Sequence, residues 1–236
     1  MENTIVIPQR WKPQVVGEGT PFPFLVVDNW YTEEEEKKVW KELDFYSSHD
    51  LDNTERAETS IVARHQDGTS KSKAFRYYFD LWYNDLGHNK SHINNFLYKF
   101  KTTGFHSLLE PCLPYSRSFP GTNRTSSMIS YYEENDHYES HFDSFMWTTL
   151  IWYFKEPKQF EGGDFNFPDS EYTVKLKHNR MVMFPCSYLH QVTPVKFKTP
   201  PKESGLGRYT ITHFHYTIPS GLDLVTNQGN PTNEIK

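Results

Sequence analysis

Residues 126–154 read SSMISYYEENDHYESHFDSFMWTTLIWYF. Two apolar runs rich in β-branched and aromatic residues, Ser127 to Tyr132 and Thr148 to Phe154, flank a polar stretch that carries Asn135 and Asp136. Short runs bounded by turn residues predict strands. The rhythm continues in DFNF (164–167), YTVKL (172–176), MVMF (181–184), QVTPVKF (191–197) and RYTITHFHY (208–216). Strands at such regular spacing predict a β-sandwich or small barrel.

Upstream of this region the pattern differs. Residues 1–23 read as a Pro- and Gly-rich arm, and FLVVDNW (24–30) as a buried strand. Thr32 and Glu35 have capping-box spacing, with acidic residues in the first turn where the helix dipole favours them. Val39, Leu43 and Tyr46, with Trp40 beside them, give that helix one buried stripe. Residues 48–74 are polar, with a strand predicted over Thr59–Arg64 and a loop at HQDGTSKSK (65–73). A second helix is predicted from Ser91, with Ile93, Phe96, Leu97 and Phe100 on one face and Gly104 ending or interrupting it. No linker divides the chain. The expectation is one domain over 1–236, with helical support to about 125 and a β core over about 126–217.

Composition narrows the function. The chain has 236 residues, enough to bury a sizeable core without disulfides, and a net charge of -5, which excludes a strongly basic nucleic-acid scaffold. No apolar run reaches the roughly 20 residues needed to span a membrane. The N-terminus lacks a basic region followed by an apolar stretch. Only Cys112 and Cys186 are present, which fits a reducing compartment, so a cytoplasmic location is expected.

His141-Phe142-Asp143 is the first chemical signal. Side chains at i and i+2 of an extended chain point the same way, so an imidazole and a carboxylate can share one cation. His190, 47 residues beyond Asp143, follows an apolar run and offers a third ligand. Two histidines and a carboxylate with open positions form the facial triad of non-haem Fe(II) oxygenases. The alternative is a surface histidine beside an ordinary aspartate. On the final strand Arg208, Thr210, Thr212 and Phe214 share a face. An Arg aimed into a sandwich needs an anionic partner, and its planar fork suits a carboxylate. The alternative is an edge strand with Arg208 in solvent.

Taken in order, YYEENDHYESHFD, TTLIWYF, EGGDFNFP, MVMFPCSYLHQVTPV and GRYTIT resemble the 2-oxoglutarate- and Fe(II)-dependent dioxygenase superfamily, and within it the prolyl 4-hydroxylase-like group. The resemblance spans roughly Ser126 to Tyr216 and implies a double-stranded β-helix, or jelly-roll, core with flanking helices. It implies that His141, Asp143 and His190 bind iron and that Arg208, assisted by Thr212, holds the distal carboxylate of 2-oxoglutarate. Tyr132 and Tyr153 match positions that reach the cosubstrate, and Gly162-Gly163 matches a tight turn. Tyr138, Trp147, Trp152 and Phe214 are the candidate substrate-binding residues. His190 and Arg208 are eighteen residues apart, wider than the usual ten or so, because of an insertion at KTPPKESGL (198–206). Lys196 and Lys198 are rival anchors.

The resemblance implies oxidative decarboxylation of 2-oxoglutarate coupled to hydroxylation of a peptidyl proline, with dioxygen as co-reactant and ascorbate as an accessory. The expected partner is a proline-containing peptide or protein, with no nucleic acid and no membrane, and residues 56–73 are a candidate flap over it. The alternatives are the same chemistry on a free amino acid, a small molecule or an alkylated nucleic acid, and a non-enzymatic cupin-type metal protein using His213 and His215.

Overall fold

Phe24–Asp28 is buried along almost its whole length, and such a strand must lie inside a sheet rather than at its edge. In the computed structural model, which describes residues 7–48, 55–56, 62–78, 91–112, 114–199 and 205–219, it does so. The elements in chain order are β1 (Lys12–Val16), β2 (Phe24–Asp28), α1 (Glu33–Ser48), β3 (Glu55–Arg56), β4 (Ser72–Lys73), β5 (Phe75–Tyr78), α2 (His92–Asn95) and α3 (Thr103–Leu109). Then come β6 (Arg124–Tyr132), β7 (His137–His141), β8 (Trp147–Tyr153), β9 (Phe160–Gly162), β10 (Phe165–Phe167) and β11 (Tyr172–Val174). The last are β12 (Arg180–Pro185), β13 (His190–Val192), β14 (Val195–Phe197) and β15 (Arg208–Tyr216).

Among the described residues, eight strands form a major sheet in the order β1-β2-β12-β8-β15-β6-β5-β3, and five form a minor sheet in the order β11-β10-β13-β7-β4. The pairings within both sheets are antiparallel. Alternation along the major sheet sends side chains into two separate cores. Ile129, Tyr131, Ile151, Tyr153, Tyr209 and Ile211 face the helices. Tyr132, Leu150, Trp152, Val182 and Phe184 face the minor sheet, with Phe165, Phe167 and Val192 opposite them. The result is a mainly β jelly roll with a helical layer on one side.

The helical layer follows from local chemistry. Thr32 N–H donates to Glu35 Oε2 at 2.8 Å, and Glu35 N–H donates to Thr32 Oγ1 at 3.1 Å, which closes the capping box. Val39, Leu43 and Tyr46 are buried against the sheet, each burial contributing about 1.5–3 kcal/mol. Buried Glu42 ties this helix to the next by accepting from Ser91 Oγ, Ile93 N–H and the Tyr46 hydroxyl.

Several expectations are corrected here. The N-terminal arm contains β1, which extends the major sheet along β2. The helix from Ser91 is α-helical only to Asn95, continues as a 3-10 turn over Phe96–Lys101, and is restarted by Thr102, whose Oγ1 accepts from Phe105 N–H. Gly104 lies inside that restarted helix rather than ending one. Of the strand expected over 59–64, residues 59–61 lie outside the described residues, and Arg64 makes only an isolated bridge with Ser70. No helix among the described residues is long and apolar enough to cross a membrane.

Candidate active site

The end of β7 and the start of β13 are adjacent antiparallel strands, and their register pairs His141 with His190. This pairing brings together two imidazoles far apart in the chain, with ring centroids 4.2 Å apart. Asp143, just past the end of β7, is fixed by its N–H donating to Cys186 O at 3.2 Å. Its Oδ1 lies 3.7 Å from His141 Nε2, and its Oδ2 lies 3.5 Å from His190 Nε2. One ligand atom from each of the three residues falls within 4.8 Å of the other two.

The backbone sets the tautomers. His141 Nδ1 lies 2.7 Å from Glu139 O, and His190 Nδ1 lies 2.8 Å from Tyr188 O. A carbonyl oxygen only accepts, so each Nδ1 carries a proton and each Nε2 is the nitrogen turned toward Asp143. Two Nε2 atoms and a carboxylate, all largely shielded from water, form a donor set suited to a divalent transition metal with positions left open. Tyr138 stacks on His141 at 3.6 Å, and its hydroxyl accepts from Ala63 N–H at 2.9 Å. Phe165 and Phe184 pack on His190 from the interior. Thr148 Oγ1 donates to Asp143 Oδ2 at 2.5 Å and lies 3.1 Å from Cys186 Sγ. Burial first, and the Asp143 carboxylate second, push the Cys186 thiol up to about 12.

Arg208 opens β15, pairs with Tyr132, and is 0% exposed. Its guanidinium lies 4.8 Å from the Tyr132 ring centroid and 5.7 Å from that of Trp152. Burial pulls its pKa down, while Tyr132 and then Asp164 support the charge. Even so, none of its three nitrogens makes a hydrogen bond of proper geometry among the described residues. Trp152 Nε1 and Thr210 Oγ1 on the same face of the sheet are also buried without hydrogen-bond partners among the described residues. Buried donors are almost always satisfied, so this cluster is suited to an anionic group with several acceptors. Gly163 makes the space: a Cβ there would sit 2.9 Å from Arg208 Cδ, and its φ is +67°.

Thr212 is buried on the same face, two residues beyond Thr210. Phe214 lies further along that face, half-buried and stacked on Phe145 at 4.6 Å. Trp152 is fully buried and lies beside Arg208. Two expected residues are not brought to this face. Tyr153 and Trp147 point into the helical layer, where Tyr153 meets Tyr31, Trp40 and His178, and Trp147 Nε1 donates to Ser118 Oγ. Tyr153, expected as a cosubstrate contact, and Trp147, expected as a substrate contact, thus lie on the opposite face of the sheet from Arg208. The rival anchors Lys196 and Lys198 are exposed on the surface. His213 and His215 also face the helices, hydrogen-bonded to Ser127 and to Thr125 and Thr149.

Thr148, Thr210 and Gly163 were not singled out for these positions in the sequence, although alternation from Arg208 reaches Thr210 directly. Of the 56–73 segment, residues 57–61 lie outside the described residues; Arg56 belongs to β3, and the Ser72–Lys73 end is strand β4 against β7.

No curated protein matches the chain in sequence. Among solved structures, a Pseudomonas putida prolyl-4-hydroxylase aligns with a TM-score of 0.52 at 12% identity, covering 90% of this chain and 95% of that one. OsALKBH1 aligns with a TM-score of 0.52 at 9% identity, covering 87% of this chain and 100% of that one. Both likenesses are of fold. The family model described as the 2OG-Fe(II) oxygenase superfamily matches residues 127–216, the segment that holds all three candidate metal ligands and Arg208. Over this segment the chain is similar to the 2OG-Fe(II) oxygenase superfamily.

Proposed function

We propose that the protein is an Fe(II)- and 2-oxoglutarate-dependent hydroxylase of a peptidyl proline. One observation carries the 2-oxoglutarate part: a fully buried guanidinium, with no hydrogen bond of proper geometry among the described residues, on the inner face of the same jelly roll that holds the His-Asp-His cluster. In this reading His141, Asp143 and His190 hold Fe(II), and Arg208 grips the distal carboxylate with Thr212, Tyr132, Thr210 and the Trp152 N–H around it. The bound iron and cosubstrate supply oxidative decarboxylation, with dioxygen, to succinate and carbon dioxide, coupled to insertion of one oxygen atom into a C–H bond. The protein's residues fix the histidine tautomers, neutralise the cosubstrate and line a dry interior.

The proline reading rests on aromatic rings. Tyr138 lies flat on His141 with its hydroxyl engaged, and Phe145, two residues beyond Asp143, clusters with Phe214 and Tyr216. Flat, rigid rings suit a pyrrolidine ring better than a charged phosphate backbone. The prolyl-4-hydroxylase activity named for the Pseudomonas putida protein of the same fold agrees with this choice.

The test supplies Fe(II), 2-oxoglutarate and ascorbate in air, and offers proline-containing peptides, free amino acids and alkylated oligonucleotides in parallel. The expected result is succinate formation stimulated by a peptide that gains one oxygen, abolished in His190→Ala. Oxygen gain or dealkylation confined to another arm would replace the proline assignment. Full turnover in His190→Ala would remove the metal assignment itself.

A further inference from the structure

The carboxylate of Asp143 is not free to turn. Thr148 on β8 shares the inner face with Leu150 and Trp152, and its Oγ1 lies 2.5 Å from Asp143 Oδ2. A threonine hydroxyl has one proton, and at this distance from a carboxylate oxygen that proton belongs to the Thr148–Asp143 bond. The contact with Cys186 Sγ at 3.1 Å is then made by the thiol proton donating to Thr148 Oγ1. Three groups thus form a directed chain, from Cys186 to Thr148 to Asp143. The chain is held at both ends, because Cys186 O accepts from Asp143 N–H and Cys186 N–H donates to Met146 O. Oδ1 carries no such bond among the described residues.

We propose that Thr148 is a positioning residue that restricts Asp143 to coordination through a single oxygen. The inference rests on His141, Asp143 and His190 holding a metal, and it adds how many positions remain. An octahedral ion bound by two imidazoles and one carboxylate oxygen keeps three positions, enough for a two-atom chelating cosubstrate and one further small ligand. A carboxylate that closed both oxygens on the ion would leave two, and the cosubstrate would fill the site. The hydroxyl proton on Oδ2 opposes that closure, while leaving Oδ1 its lone pairs. Partners of this kind orient ligands, and their loss typically weakens metal binding about 10–100-fold.

The test uses the full chain, Mn(II) as the probe, and Thr148→Val beside Thr148→Ser, which keeps the hydroxyl. Mn(II) affinity is followed by the loss of the free-ion paramagnetic resonance signal. The water ligands on bound Mn(II) are counted by line broadening in oxygen-17-labelled water. The expected result is one Mn(II) site in the parent protein with three waters. Thr148→Val should bind about 10–100-fold more weakly and retain two waters, while Thr148→Ser should match the parent in water count and stay within about threefold in affinity. Equal affinity and water count in Thr148→Val would overturn the proposal, as would a Thr148→Ser protein that behaves like Thr148→Val. Melting of the metal-free proteins checks folding; if Thr148→Val fails that check, Thr148→Ala takes its place under the same criteria. Failure of the parent protein to bind Mn(II) would instead overturn the metal reading beneath it.

Discussion

Replacing Arg208 by Met should make the ligand-free protein more stable and, at the same time, insensitive to 2-oxoglutarate. The guanidinium is fully buried, and its three nitrogens make no hydrogen bond of proper geometry among the described residues. Leaving a buried polar group unsatisfied costs about 1–3 kcal/mol, and more when it is charged. The faces of Tyr132 and Trp152 return part of this, about 1–2 kcal/mol in a desolvated site. Met keeps much of the volume without the charge, and apolar replacement of buried charges stabilises by about 1–4 kcal/mol. A net gain of about 2 kcal/mol corresponds to roughly 4–8 °C in Tm for a domain of this size. In the parent protein the carboxylate supplies the missing acceptors, and 2-oxoglutarate at a hundred times its Kd should add about 2.7 kcal/mol. Losing a desolvated charge pair costs about 3 kcal/mol of affinity, or about 150-fold. At the same concentration the variant would then gain only about 0.3 kcal/mol. Thermal unfolding with Mn(II) in place of Fe(II), with and without 2-oxoglutarate, reads both effects without turnover. A variant that melts below the parent yet responds to 2-oxoglutarate as the parent does would refute the reasoning.

Two further outcomes follow from the same structure. His213 is buried, and desolvation lowers its pKa to about 3, so the unfolded chain takes up a proton below its ordinary 6.5 that the folded chain refuses. Stability from this residue is complete above pH 6.5 and declines as pH falls toward 3, by about 2 kcal/mol at pH 5. Buried His215, also shifted well down, adds to the decline. His213→Gln, compared with the parent by urea unfolding between pH 7 and 5, should lose its share of the slope, and an unchanged slope would refute the assignment. Gly163→Ala should lower Tm through its positive φ, at about 1–2 kcal/mol, and should shrink the 2-oxoglutarate response because its Cβ would press on Arg208. A normal response in a folded Gly163→Ala protein would show that Arg208 does not need that space.

The site was legible where alternation was legible. RYTITHFHY places Arg208, Thr210 and Thr212 on one face and His213 and His215 on the other, as the two cores show. The HFD motif and His190 could be read as ligand types, but that they meet depends on the β7–β13 register, which no local pattern encodes. WTTLIWY misled for a physical reason. Every residue of β8 is buried, because cores lie on both sides of it, so its sequence carries no polar face from which to count. Only its pairing with β15, which sets Trp152 opposite Thr210, shows that Trp152 rather than Tyr153 is beside the guanidinium. Thr102, a capping residue inside an apolar run, was a readable sign that the helix from Ser91 restarts.

The Tyr131 hydroxyl accepts from both Gly205 N–H, at 2.8 Å, and Gly207 N–H, at 3.0 Å. A Cβ on Gly207 would collide with Tyr132 O, so the chain is clamped tightly against β6 just before Arg208. The backbone that launches Arg208 is thereby moored to the neighbouring strand, and the guanidinium starts from a point that cannot shift without surrendering both of these bonds.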